Sequence, residues 1–463
     1  MESSFFKGEK MKKLNSRQEK KQFYKMVLSL VVPMAAQNLI NVAISSANVV
    51  MLGRVGEDVL AASALAGQVM FILSLVVFGV TSGAAVLTAQ YWGKGDITTI
   101  EKILGFAMRV VIVIALAFMV AALTIPEPIM RLFTTEETVI REGVSFLQIA
   151  AFAYVFMGMT MVYLFVMRSV ERVVVSTVVY GVSLFVNIGL NAVFIFGLLG
   201  FPAMGIKGAA LAMVLARMAE FIIVIIYGKF INKEVCFRMK YFLSSDKLLM
   251  QDFLKYSIPV ILNETTWGLG ISTVTAIIGN LSSEMVAANS IAQVIKQLAA
   301  VAGFGLAGAT AIIIGKVIGE GKEDFALEYS KRLTRLAIIL GGLGAGVILL
   351  ISPLVSKGMN MSAETTQYLE MMLAVMAFYV WAQSVNALLI IGVFRAGGDT
   401  KWGLILDAGT LWGFAVFLGA MAAFVWKLPP TLVYIFLLCD EFVELPMSFW
   451  RYRSKKWLKN VTR

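Results

Sequence analysis

Apolar residues fill this chain in runs of about twenty or more, each closed by a short polar or basic segment. Within the runs, hydrophobic and polar positions do not alternate, so the pattern fits helices and not the strands of a membrane barrel. Twelve spans are predicted, at 26–52, 57–90, 101–125, 140–168, 173–198, 205–229, 252–279, 285–317, 332–356, 365–394, 401–426 and 430–449. The expected fold is an all-α integral membrane protein.

The pattern also repeats. Pro33 opens the first span and Pro259 the seventh, and 259 − 33 = 226. The same offset pairs Gly53 with Gly279, Ala61–Ala62 with Ala287–Ala288, Phe78–Gly79 with Phe304–Gly305, Gly93 with Gly319, and Gly95 with Gly321. "FGVTSGAAVLTAQYWGKGD" therefore lies over "FGLAGATAIIIGKVIGEGK" without a gap, and an offset of 227 pairs Arg168 with Arg395. Glycine and alanine match by chance among membrane helices, but one offset that also holds for proline and phenylalanine indicates a duplication. The twelve transmembrane helices thus form two pseudo-symmetric six-helix lobes of parallel topology. The expected division is a basic tail (1–25), an N-terminal lobe (26–229), a linker (230–251), a C-terminal lobe (252–449) and a second basic tail (450–463). Two such halves make a transporter architecture, with substrate near the midplane between or within them.

Composition agrees. The 463 residues are 59% hydrophobic and 15% charged, with mean hydropathy +0.82, where soluble proteins carry about 25% charged residues. The formal charge of +11 gathers in alternate loops and at both ends, as in "GKFINKEVCFRMK", "GKEDFALEYSKRLTR" and "RYRSKKWLKNVTR". That bias predicts a multi-pass protein of the cell inner membrane with both termini cytoplasmic, and needs no nucleic-acid partner. The first apolar run is too long for a signal-peptide core and is expected to stay as a helix.

Cys236 and Cys439 stand far apart, so no disulfide framework is expected, and histidine is absent. Without histidine there is no usual zinc ligand or neutral-pH proton relay, so no metal site is expected and any pH response must rest on carboxylates. "GATAIIIGKV" misses the phosphate-loop spacing, and neither H-E-x-x-H nor G-x-S-x-G occurs. An enzyme is not expected, nor any cofactor beyond a coupling ion.

The order of "VVMLGRVGEDVLAASALA", "SGAAVLTAQYWGKGD", "NIGLNAVFIFGLLGFPAMGIKGAALA" and "FRAGGDTKW" resembles the multidrug and toxic compound extrusion (MATE) family, over residues 25 to 455. The resemblance implies two lobes in a V, alternating access, and export of amphiphilic, mostly cationic organic compounds against inward H⁺ or Na⁺ flow. A two-lobed chain needs no partner to form its cavity, so a monomer in the bilayer is expected. The alternative is a flippase of lipid-linked oligosaccharides from the same superfamily. Its cavity should be strongly basic, whereas the spans here hold carboxylates and amides.

Glu264, in "SIPVILNETTWGLG", is the leading candidate for cation coupling. A carboxylate in mid-span costs about 2.5–3.5 kcal/mol on insertion scales, so it should face a cavity or a partner, and Lys296 is the expected partner if the role is structural. Asp407 in span eleven is the second coupling candidate. Asp440, Glu441 and Glu444 are expected at the solvated interface, and Arg217 with Glu220 as a self-neutralising i,i+3 pair. Gln37, Asn41 and Asn48 fall on one face of span one, and Asn187 and Asn191 are one turn apart in span five. With Trp267, Gln383 and Asn386 they are the expected substrate-cavity residues. Relatives often carry aspartate where Asn48 and Asn191 stand and acidic residues in span ten, which puts proton coupling through the N-terminal lobe in doubt and moves it to Glu264 and Asp407.

Overall fold

The computed structural model describes residues 17–243, 246–358 and 361–463, and no strand occurs among them. Six long helices make the first half: α1 Arg17–Gly53, α2 Glu57–Lys94, α3 Ile97–Thr124, α4 Glu137–Ser169, α5 Val173–Phe196 and α6 Gly205–Ile231. The second half holds α7 Lys247–Gly279, α8 Ser283–Gly319, α9 Glu323–Gly358, α10 Ala363–Phe394, α11 Thr400–Val425 and α12, which is broken into Pro430–Leu437 and Asp440–Arg453. Ten of these are long and apolar enough to cross a membrane by composition alone. The other two are α7, which carries Asn263 and Glu264, and the broken α12.

Local chemistry explains several helix starts. Asp96, Asp246, Ser282 and Ser362 each accept a backbone N–H three residues on, capping α3, α7, α8 and α10. Pro33 and Pro259 lie inside α1 and α7, so both are helix-interior prolines and not helix starts. The basic N-terminal segment is helical from Arg17 onward, while 1–16 lies outside the described residues.

The two halves pack by the same scheme. In the first, α2 lies on α4, α4 on α3 and α6, α5 on α6, and α1 on α5. In the second, α8 lies on α10, α10 on α9, and α7 on α11. Across the boundary α1 meets α8, α2 meets α7, and α2 meets α8.

The halves close on the face that carries the C-terminus. There Gly93 of α2 meets the backbone of Lys316, and Gly319 of α8 meets the backbone of Gln90 so closely that neither position has room for a Cβ. These are the glycines paired by the 226-residue offset. The fully buried Gln90 donates to Ala396 O (2.7 Å) and Lys459 O (3.1 Å) and accepts from Val461 N (2.8 Å). Lys316 bridges the halves to Glu171 at 2.6 Å, and Arg463 reaches Asp252 at 2.7 Å. The expected tail 450–463 is thus folded onto this face, with the Trp457 ring fully buried and stacked on Tyr452. The expected loop 395–401 also turns inward: Arg395, Asp399 and Thr400 are buried, and Asp399 is held by Arg451 and Lys459, each at 2.8 Å.

Candidate functional site

Between the halves lies a cavity of about 570 Å³, within the usual range for small-molecule sites. Four of the predicted cavity residues line it: Gln37, Asn41, Trp267 and Gln383. Its walls are mostly apolar, with Phe71, Phe78, Phe165 and Phe304 among them. Arg168, Lys296 and Arg395 also line it, and no acidic side chain does among the described residues.

Glu264 does not pair with Lys296. Its Oε1 accepts from Arg395 Nη2 at 2.7 Å, and Arg395 Nη1 donates across the boundary to Ser82 Oγ at 3.2 Å. Both partners are well shielded, with side-chain exposures of 14% for Glu264 and 4% for Arg395, so the pair is a buried ion pair whose Coulomb attraction is little screened. Hydropathy ends span ten before Arg395, which hid this partner. Lys296 instead stands 5.2 Å from the centre of the Tyr379 ring, a cation–π distance.

Asn263, one residue before Glu264, points the other way and donates to Asp407 Oδ2 at 2.5 Å. Glu444 belongs to the same cluster as Asp407. Glu264 and Asp407 are therefore neighbours through α7 and make no hydrogen bond to each other. Asp440, Glu441 and Glu444 are buried, contrary to the interfacial placement expected from sequence. Packing against α10 and α11 is the reason, past a break at Leu438–Cys439. The break starts a new helix at Asp440, whose first turn holds two acids where the free N–H groups favour negative charge. Asn386 joins this group and not the central cavity, donating at 2.8 Å to both the carboxylate and the carbonyl of Glu441.

The cluster is under-satisfied. Asn263 Oδ1, Asn386 Oδ1, Asp440 Oδ1 and Glu444 Oε1 have no hydrogen-bond partner. Four acceptors left open beside four carboxyl groups are suited to a cation, because burying an uncompensated anion costs several kcal/mol. No group of three His, Cys, Asp or Glu residues has metal-binding geometry among the described residues. π-helical turns flank the site, at Leu388–Phe394 before Arg395 and at Leu411–Val416 after Asp407. Such turns widen a helix and are frequent at functional sites.

The remaining amides sit in the first half. Asn191 donates to Asn48 at 2.7 Å and to Asn187 at 3.0 Å. Asn48 and Asn191 line a second cavity of about 530 Å³ within that half, which Asn41 shares with the central one. Arg217 binds Glu220 at 2.8 Å as expected, and Ser183 donates to the same carboxylate. Gln37 donates to Thr177 at 2.9 Å.

Comparison with known proteins gives one consistent answer. The MatE family model matches residues 33–193 and 259–421, one segment in each half. The chain is 22% identical over 456 residues to the probable multidrug resistance protein YoeA of Bacillus subtilis, covering 97% of this chain and 98% of that one. Its fold is similar to that of a mutant of the Vibrio cholerae MATE transporter VcmN, with TM-score 0.85, 17% identity and coverage of 95% and 99%. It is equally similar, at TM-score 0.85, 16% identity and coverage of 94% and 96%, to an outward-facing multidrug resistance MATE transporter.

Proposed function

Because the chain belongs to the MatE family of multidrug transporters, we propose that it exports amphiphilic organic compounds by alternating access, driven by inward flow of H⁺. The carboxylate cluster of α11 and α12, with Asp407 half-buried and Asp440, Glu441 and Glu444 buried, beside a cavity closed on one face, is the observation that carries this reading. The names of the relatives favour multidrug export over a lipid-linked oligosaccharide flippase.

The chain sits in the cytoplasmic membrane as a monomer, with both termini and the closed face inside, and performs no covalent chemistry. A proton entering from the open side is taken up by the carboxylate cluster, in which Asp407 accepts the Asn263 amide. Asn263 then loses a charge-assisted acceptor. Since Asn263 and Glu264 are consecutive, the shift is passed along α7 to Arg395 and from there to Ser82 on the other half. Loading of the cation thereby reaches the boundary that must rock. A second reading, Na⁺ in place of H⁺, draws support from the open amide oxygens of Asn263 and Asn386.

The test is efflux from proteoliposomes under an imposed pH or Na⁺ gradient, comparing the wild type with Asp407→Asn and Glu444→Gln. Loss of pH-driven efflux in folded variants is expected. Full pH-driven efflux in the double variant would refute the cluster as the coupling site, and efflux driven by Na⁺ alone would select the second reading.

A further inference from the structure

We propose that the central cavity takes amphiphilic organic anions, with Arg168 and Lys296 as the recognising cations. The inference deepens the export reading by naming the substrate class of its cavity, and it runs against the cationic substrates that the family resemblance suggested.

The charge balance of the cavity is the starting point. Arg168, Lys296 and Arg395 line it and contribute +3, and Glu264, bound to Arg395, contributes −1. The lining cations and the one carboxylate bound to them sum to +3 − 1 = +2, before the carboxylates behind Lys296 are counted. Arginine stays protonated in proteins, so the charge of Arg168 persists. Its partners are neutral: its Nε donates to Ser176 Oγ at 3.2 Å, and its guanidinium lies 4.4 Å from the centre of the Phe165 ring. Lys296 has the Tyr379 ring beside it and makes no ion pair among the described residues. The carboxylates that act on it, Asp440 and Glu441, belong to the buried cluster and do not line the cavity.

An organic cation in this space meets two like charges across a low-dielectric gap and finds no carboxylate to bind. An anion meets a guanidinium fork suited to carboxylate, sulfonate or phosphate. Asn38, Gln293 and Gln297 add amide N–H donors, and Phe71, Phe78 and Phe304 receive an apolar body. Arg168 and Arg395 are also mates under the internal repeat, one from each half. An anion that engaged either would therefore meet the same chemistry from the other lobe.

The test is equilibrium binding to the purified full chain in a non-ionic detergent, read by fluorescence polarisation. The probes are fluorescein, a dianion, and ethidium, a cation of similar size. Fluorescein is expected to bind, more weakly as salt rises, and Arg168→Gln or Lys296→Gln should each weaken it about tenfold or more. Glu264→Gln should act in the opposite direction, strengthening fluorescein binding by freeing Arg395, a gain that misfolding cannot produce. Absence of fluorescein binding, or ethidium binding that survives while fluorescein is excluded, overturns the inference. Efflux in proteoliposomes separates the two readings. Fluorescein bound but never exported would refute export and leave the cavity's preference standing, whereas ethidium exported without fluorescein binding would do the reverse.

Discussion

The Glu264–Arg395 pair permits a quantitative test. The two groups meet at 2.7 Å with little exposure, and removing one member of a buried pair typically costs about 3–5 kcal/mol because the other is left as an uncompensated charge. Glu264→Gln and Arg395→Gln should each destabilise the protein by about that amount. Arg395→Gln should lie at the upper end, since it also removes the donor to Ser82. The double variant leaves neither member of the pair uncompensated, so its loss should be well below the sum, with a coupling energy of about 2 kcal/mol or more. Reversible unfolding in mixed micelles, followed by tryptophan fluorescence, measures all three variants. Additive losses, with coupling within about 0.5 kcal/mol, would refute the claim that Arg395 holds Glu264.

Gly319→Val should force the closed face apart, because a side chain there strikes the Gln90 backbone. Overpacking costs about 1–3 kcal/mol, enough to raise labelling of Ala396→Cys by an impermeant maleimide applied to that face, in a Cys236→Ser, Cys439→Ser background. Trp457→Ala should cost about 3–5 kcal/mol by emptying a fully buried site, and a thermal melt of the purified protein would reveal it. Asp246 caps α7, and its carboxyl is held below the usual range by the Leu249 N–H first and Lys102 second. A depressed carboxyl stabilises the fold above its unfolded value and loses that contribution as pH falls through its folded value. Protection factors for hydrogen exchange at the start of α7 should therefore hold from neutral pH down to about 4 and fall only below.

Much of this architecture could be read from hydropathy and self-similarity. The 226-residue offset located both halves, and it paired Gly93 with Gly319, the two residues at the crossing. Glu264 stood out because a carboxylate in an apolar run is costly. Its partner did not, because Arg395 follows the last apolar residue of α10 and looks like the start of a loop, although the chain there turns inward. The acids of α12 were hidden differently. "FLLCDEFVE" carries no glycine or proline to announce the break at Leu438–Cys439, and acids beside a basic tail look solvated. Only tertiary packing buries them. The run Asp440, Glu441, Glu444 is an i, i+1, i+4 set, and the i, i+4 pair was the one sequence signal that could have raised the question.

The Gly93–Gly319 crossing has a mechanical consequence. Helices usually lock through side-chain ridges seated in grooves, and turning one on the other means lifting ridges out. Here backbone lies on backbone, so the crossing has no side-chain ridge to lift. Around the crossing the halves are held by polar latches, Gln90 with the tail and Lys316 with Glu171. Those latches are ordinary polar contacts that single substitutions can weaken or strengthen. The hold between the halves can thus be tuned by degrees while the glycine crossing itself stays fixed.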